Sequence, residues 1–285
     1  MPDFKIAFIT SSNFPDITAD DQLLANYLRQ QNFIVEATPW DIGANWRLYD
    51  KIIFRSCWNY HKKPVEFSAW LAEMKTQSLP FINSLKIIEW NMHKQYLFEL
   101  QAKGVEIPQA ILVRQSERIE LKSVMEKNGW EKVVVKPAVS AGARGTWVTS
   151  LHSLNGAQQT LDDSVQLADT IIQKFSPEVL EQGEVSLIYL NKKYSHAVVK
   201  KPKQDDFRVQ TELGGTVAAF TPSPDLIQQG EKIVNKVSEP LPYARVDGVV
   251  SNGKLLLMEL EVFEPSLFWK YAPQSSFKLF SDSLF

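Results

Sequence analysis

A layered α/β domain followed by an α+β domain is the fold class this sequence predicts, and three observations predict it. Over the first 83 residues short apolar runs alternate with amphipathic stretches of helical period. From residue 171 onward strands follow one another with turns between them, as antiparallel hairpins do. No stretch approaches 18 consecutive apolar residues, the length that marks a membrane-spanning helix. At 285 residues the chain is long enough for two domains, or three small ones.

Each element can be justified in order. KIAFIT (5–10) is a compact apolar strand, and Thr18 with Asp21 caps a helix carrying Leu23, Leu24, Tyr27 and Leu28 on one side. FIVEA, KIIFRS and LPFIN are further short strands. A helix over about 64–77 presents Val65, Phe67, Trp70, Leu71 and Met74. Strand, helix, strand, strand, helix, strand implies a mostly parallel sheet. NMHKQYLFELQAKG then reads as one helix ending at Gly104, before the strand IPQAILV. A helix over about 117–128 precedes EKVVVKPAVSAGARGTWVTSL, which is strand, glycine-containing loop, strand. IIQKF, VSLIYL, YSHAVVKKP and GGTVAAF are strands, followed by a helix near 223–238 and a strand pair around Asn252-Gly253. The tail APQSSFKLFSDSLF fits either a short docking helix or a loose end.

Composition excludes several function classes. Hydrophobic residues make up 44% and charged residues 22%, and 31 basic against 33 acidic residues leave a net charge of -2. That balance gives no electrostatic case for nucleic acid or an anionic membrane surface. The single Cys57 precludes an intramolecular disulfide framework and a cysteine-rich zinc site, and the four histidines form no HExxH pair. The amino terminus lacks the basic start and long apolar run of a signal peptide, so a cytoplasmic location is expected.

Chemistry concentrates in VDGVVSNGKLLLMELEVFEPS (246–266). Alternation along that strand puts Leu255, Leu257, Glu259, Glu261 and Phe263 on one face. Adjacent carboxylates repel, and burying them requires positive partners. Arg208, Arg245, Lys200 and Lys201 are candidates, and Asp247 supplies a third acid. Three carboxylates on neighbouring strands suit a hard divalent cation; a purely structural ion-pair network satisfies the same pattern. A two-residue Asn252-Gly253 hairpin pairs Ser251 with Lys254 and so places Asp247 on the face opposite Glu259. The metal reading therefore requires an odd-length loop or a bulge.

Lys136 ends the apolar strand VVVK and needs an anion or an exit to water. The small-residue loop Ser140, Ala141, Gly142, Ala143, Arg144 and Gly145 follows, with Thr146 after it. It lets backbone amides approach phosphate, though read alone a plain surface hairpin is the simpler reading, and it is neither a P-loop nor a dinucleotide fingerprint. Lys94, read alone, is an ordinary helix lysine.

Taken in order, these pieces resemble the ATP-grasp superfamily, especially its glutathione-synthetase-like and ribosomal-protein-glutamate-ligase-like branch. The stretch FRSCWNYHKKPVEFSAWL is also similar to the ligase that closes D-cycloserine. The resemblance implies an ATP-grasp fold behind an amino-terminal Rossmann-like domain. Its divisions are a substrate-side domain (1–84), a central subdomain with a phosphate-covering loop (85–175) and a carboxy-terminal subdomain with metal-binding acids (176–285). Lys94 and Lys136 look like the two nucleotide-binding lysines, and Ser140, Ala141, Gly142 and Gly145 belong to the covering loop. Gln173, Lys174 and Phe175 resemble the hinge that receives adenine, Glu184 its ribose acid, and Arg208 in FRVQTELGG the arginine that steadies the transferred phosphate. Asp247, Glu259 and Glu261 match the magnesium-binding acids, although Glu261 stands where the family usually has asparagine.

The implied reaction is ATP-dependent carboxylate–amine ligation through an acyl phosphate. It uses ATP and magnesium (two ions, with manganese as a substitute), a small-molecule, amino-acid or peptide carboxylate, and an amine acceptor. Lys136, Arg208 and Arg245 would stabilise the developing negative charge. A small-molecule kinase and a non-catalytic nucleotide-binding protein are the alternatives, and a homodimer is compatible with the resemblance. Arg55, Trp58, Asn59 and Tyr60 follow the strand KIIF at the end where α/β sheets bind ligands, and Ser11 and Asn13 follow the first strand in the same way. Arg55 is expected to hold a substrate carboxylate, or else to be salt-bridged at a domain boundary. Glu264 and Ser266 are expected to face the transferred group, and His196 to be a strand residue near the nucleotide.

Overall fold

The computed structural model describes residues 4–140, 142–204 and 206–285. The first unit comprises β1 (Lys5–Thr10), α1 (Ala19–Gln30), β2 (Ile34–Pro39), β3 (Lys51–Phe54), α2 (Pro64–Thr76) and β4 (Phe81–Ile82). Its sheet has the order β2-β1-β3-β4 and every pairing is parallel. Alternation along β1 feeds two cores. Ile6 and Phe8 pack with Leu24 and Leu28 of α1, whereas Ala7 and Ile9 pack with Phe67, Leu71 and Met74 of α2. The Thr18 hydroxyl accepts from the Asp21 amide and fixes the start of α1. Val65, expected on the buried side of α2, is 77% exposed in the first turn.

The second unit holds α3 (Leu85–Met92), α4 (Tyr96–Ala102), β5 (Ala110–Val113), α5 (Leu121–Asn128), β6 (Lys132–Pro137), β7 (Trp147–Ser150), α6 (Ala157–Leu167) and β8 (Thr170–Lys174). Its antiparallel sheet runs β5-β8-β6-β7. Leu121 and Met125 of α5, with Leu161 and Val165 of α6, cover Val133, Val135 and Ile172. The single helix expected from Asn91 to Gly104 is two helices, broken where His93 is extended (φ -107, ψ 117).

The third unit contains α7 (Glu178–Glu181), β9 (Glu184–Leu190), β10 (Lys193–Lys201), β11 (Thr216–Ala219), α8 (Pro224–Asn235), β12 (Tyr243–Ser251), β13 (Lys254–Glu261) and α9 (Gln274–Asp282). Its sheet, β11-β10-β9-β12-β13, is antiparallel throughout. Strand β13 lies at the edge, and the α3–α4 region covers its open backbone groups. Asn91 donates to the Leu260 carbonyl at 2.6 Å and accepts from the Val262 amide at 3.1 Å. The Tyr96 hydroxyl accepts from the Leu260 amide at 3.0 Å, and the Glu106 carbonyl from the Leu257 amide at 2.8 Å. The tail resolves into α9, whose Phe277 and Phe280 pack with Ile6, Phe8 and Leu24 of the first unit.

Candidate functional site

The site begins at the β12–β13 hairpin. Asn252 (φ 51) and Gly253 (φ 76) form a two-residue turn with both centres left-handed, so Ser251 pairs with Lys254 as two-residue hairpins dictate. Gly248 then pairs with Leu257, Met258 is extruded, and Asp247 pairs with Glu259 and Arg245 with Glu261. The bulge the metal reading required is therefore present, one residue beyond Leu257. Gly248 is needed beside it, because a Cβ there would lie 2.4 Å from the Leu256 carbonyl oxygen. The bulge also corrects the facial assignment. Leu255, Leu257, Leu260 and Val262 all enter the core, while Met258, Glu259 and Glu261 face a cavity.

Cations surround these acids. Asp247, 2% exposed, accepts from Ser186 (2.6 Å), Lys200 (3.1 Å) and the Arg245 guanidinium (2.8 Å), and both its oxygens are occupied. Burial pushes its pKa up, but Arg245 and Lys200 reverse this and hold the carboxyl well below the usual range. Lys200 also binds Glu184 at 2.5 Å, and Arg245 bridges onward to Glu261. Lys94 Nζ meets Glu259 Oε1 at 2.8 Å and donates to the Ser140 carbonyl at 3.2 Å. The break between α3 and α4 makes this possible, since the Lys94 amide bonds the Ala138 carbonyl instead of a helix carbonyl. Burial lowers the pKa of Lys94, and the charge of Glu259 more than restores it. Lys136 has no carboxylate within ion-pair distance among the described residues. Burial, followed by repulsion from Lys94, lowers its pKa to about 8.

These groups share one cavity of about 610 Å³ between the three units. One end is lined by Val134, Gln173, Phe175 and Ser176, with Glu184 and Lys136 nearby. The middle holds Lys94, Arg245, Asp247, Glu259 and Glu261, overhung by Ser140, Gly142, Ala143 and Thr146 and by Arg208. Arg208 is held by Asp206 at 2.9 Å. The far end belongs to the first unit and the segment after β13, with Asn13, Trp58, Asn59, Tyr60, Glu264 and Ser266. Reasoning on the sequence missed Phe14, His61 and Met258 as lining residues. His61 touches Arg144 at 3.5 Å across the cavity mouth, a contact with no local signal.

Several expected site residues stand elsewhere. Arg55 is 2% exposed and locked to Asp21 (Nη2–Oδ1 2.6 Å, Nε–Oδ1 2.9 Å) and to the Pro265 carbonyl (2.8 Å), so it joins domains and does not line the cavity. Ser11 is fully buried, donating to the Ser56 carbonyl at 3.2 Å. Asn59 reaches the cavity, but its amide is spent on Asn13, Asp41 and Trp40. Gly145 packs under Pro137, and the amides of Lys174 and Phe175 are taken by the carbonyls of Gln109 and Lys132. Ala141 lies outside the described residues. His196 is buried and bonded to the Leu267 carbonyl at 2.8 Å, a packing role.

The donors fit magnesium in kind, being hard oxygens, and Glu259 and Glu261 each keep Oε2 free of protein donors among the described residues. Asp247 would have to give up an ion pair to join them. As they stand, the acids pair with cations, and among the described residues no three His, Cys, Asp or Glu side chains are gathered at metal-binding spacing.

Residues 6–83 match the family described as D-cycloserine synthetase DcsG, N-terminal domain. The cycloserine biosynthesis protein DcsG of Streptomyces lavendulae is 24% identical over 284 residues, covering 92% of each chain. The crystal structure of D-cycloserine synthetase DcsG superposes with a TM-score of 0.84 at 20% identity, over 98% of both chains. The D-alanine–D-alanine ligase of Bacillus anthracis complexed with ATP gives 0.66 at 13% identity, over 99% of this chain and 96% of that one. These likenesses establish an ATP-grasp fold preceded by an amino-terminal domain.

Proposed function

We propose that this chain, an ATP-grasp protein by fold, is an ATP-dependent carboxylate–amine ligase that works through an acyl phosphate. The observation that carries the reading is that the apolar, cationic and acidic groups line one shared cavity. Val134, Phe175 and Val179 suit a base, Lys94, Lys136 and Arg245 suit phosphate, and side chains of the first unit line a second compartment. A nucleotide laid along the cavity would bring its terminal phosphate to Lys94, Lys136 and Arg245, where a carboxylate from the second compartment could meet it.

Lys136, with no carboxylate at ion-pair distance among the described residues, is the group to receive phosphate charge, and an ammonium in the cavity is worth more there than in water. Lys94 is held by Glu259 and the Ser140 carbonyl, and so is positioned before nucleotide arrives. Arg245 is fixed by Asp247 and Ser266 and presents its charge without reorganisation. Glu259 and Glu261 would hold magnesium, whose chemistry is to neutralise phosphate oxygens. The substrate carboxylate oxygen attacks the γ-phosphorus and ADP departs. An amine then attacks the acyl carbon, phosphate leaves, and the proton lost from nitrogen passes to phosphate or water. Ser140, Gly142, Ala143 and Thr146 line the cavity beside these groups and would exclude water from the acyl phosphate.

The test is ATP- and magnesium-dependent hydroxamate formation with hydroxylamine over a panel of carboxylates. The reading expects hydroxamate from at least one acid and none with Glu259→Gln. A phosphorylated product without hydroxamate contradicts it.

A further inference from the structure

We infer that Phe268 is a positioning residue for Arg245, its ring seating the guanidinium that is to meet the terminal phosphate of the nucleotide. This deepens the ligase reading and rests on it for Arg245 as a phosphate contact.

Phe268 adopts a backbone conformation that its residue type disfavours. Its φ of 52 and ψ of 45 lie in the left-handed region. Glycine enters that region freely and asparagine often, whereas a bulky side chain there is an outlier that carries strain. The residues on either side hold it in place. The carbonyls of Ser266 and Leu267 accept from Arg245 Nη1 (2.9 Å) and His196 Nε2 (2.8 Å). The Phe268 carbonyl accepts from the Tyr271 amide at 2.9 Å, and buried Trp269 packs on Phe277 and Phe280. A glycine would make the same turn without strain, so the turn alone does not account for a phenylalanine.

The ring accounts for it. Phe268 is half-buried and lines the cavity with Arg245, whose Cζ lies over the ring 5.5 Å from its centroid. A guanidinium at that distance from an aromatic face is attracted by the ring quadrupole. Hydrogen bonds occupy the edge of the same group. Nε and Nη2 donate to Asp247, Nη2 also reaches Glu261, and Nη1 donates to the Ser266 carbonyl. Among the described residues this leaves one Nη1 N–H for a phosphate oxygen. Asp247 and Glu261 compete with phosphate for the cation, and edge bonds restrain the tilt of a planar group only weakly. A ring against its face limits that tilt and keeps water off that side.

Calorimetric titration of the full chain with magnesium and either ADP or a non-hydrolysable ATP analogue tests this. Phe268→Leu keeps an apolar side chain without β-branching, so the strain stays comparable while the aromatic face is lost. Phe268→Gly relieves the backbone, and Phe268→Tyr keeps the ring. In Phe268→Leu and Phe268→Gly the triphosphate analogue is expected to bind at least about threefold more weakly, with ADP unchanged within about twofold. Phe268→Tyr should stay within about twofold of the unaltered chain for both nucleotides. The ¹⁵N–¹H resonance of Arg245 Nε, assigned by its absence from Arg245→Lys, gives a readout without nucleotide. It should move in Phe268→Leu and hold its place in Phe268→Tyr. Urea unfolding shows which variants are folded, and Phe268→Met replaces Phe268→Leu, with the same expectations, should that one fail. Full triphosphate affinity in Phe268→Gly means that the residue only makes the turn, and overturns the assignment. An Arg245 resonance unmoved by Phe268→Leu, equal weakening of both nucleotides in folded variants, or no binding of either by the unaltered chain also overturns it. Failure of the ligase reading is read separately. Hydroxamate from the unaltered chain, with triphosphate affinity unmoved by Phe268→Leu, keeps that reading and removes this inference. Selective loss of triphosphate affinity without hydroxamate from any acid does the reverse.

Discussion

Asp247 and Glu259 stand opposite each other across the β12–β13 ladder because Met258 is extruded between Leu257 and Glu259. A regular two-residue hairpin puts Asp247 and Glu259 on opposite faces, so these two acids share a face only as a consequence of one extra residue. The bulge also lets four aliphatic residues stay in the core on both sides of it.

Gly248 is the residue the bulge depends on. With a Cβ, position 248 would meet the Leu256 carbonyl at 2.4 Å, which is backbone and has no rotamer to yield. Gly248→Ala is expected to destabilise the protein by about 2 to 4 kcal/mol through forced separation of the strands. Urea unfolding measures it, and a cost under about 0.5 kcal/mol would show that the hairpin accommodates the methyl.

The buried Arg55–Asp21 pair gives a second prediction. Each side chain is at most 5% exposed, so removing the acid strands a guanidinium away from water. Asp21→Asn should cost about 3 to 5 kcal/mol, and Asp21→Asn with Arg55→Met should recover much of that. Chemical denaturation of the single and double variants provides the comparison. A double variant as unstable as the single would mean that Arg55 acts mainly through the Pro265 carbonyl.

Lys136 should show the reverse: loss of function with gain of stability. Its half-buried ammonium has no carboxylate at ion-pair distance among the described residues, and desolvation lowers its pKa to about 8. With the folded pKa below the unfolded one, the unfolded chain binds more protons between those values. The contribution of Lys136 to stability therefore rises with pH from about 8 to about 10.5, and the group costs most below pH 8. Lys136→Met is expected to stabilise the nucleotide-free protein at neutral pH by on the order of 1 to 3 kcal/mol, and the gain should shrink toward pH 10. The same variant should lose at least about 100-fold in kcat/KM. Stability curves of both proteins at neutral and alkaline pH would reveal a gain independent of pH, which contradicts the argument.

Much of this was legible in the sequence, for reasons that can be stated. Parallel β1–β4 and the α1 cap followed from alternation and from the spacing of Thr18 and Asp21. The bulge was deducible because Asn252-Gly253 fixes one register and the acids demand another. What local pattern could not reveal was partnership at a distance. Arg55 meets Asp21 and Pro265, residues 34 and 210 positions away, and these take it out of the cavity. The break at His93 is invisible to helical periodicity, since the Lys94 amide finds its acceptor, Ala138, in another unit. Helix α6 escaped notice because its apolar stripe is thin, Ala157, Leu161 and Val165 among polar residues. Strict alternation along β13 puts Leu255 and Leu257 on the face of the acids, and the extruded Met258 moves them to the core face instead.

In the proposed mechanism a substrate carboxylate attacks ATP before any amine is involved, and positional isotope exchange reports that step. ATP carrying ¹⁸O in its β–γ bridge is incubated with the protein, magnesium and the carboxylate, without amine, and the bridge label is followed into the non-bridging β positions by ³¹P resonance. Scrambling is expected to require the carboxylate and to disappear in Lys136→Met. Scrambling that proceeds equally without carboxylate, or no scrambling with an acid that supports product formation once amine is added, would contradict an acyl-phosphate ligase.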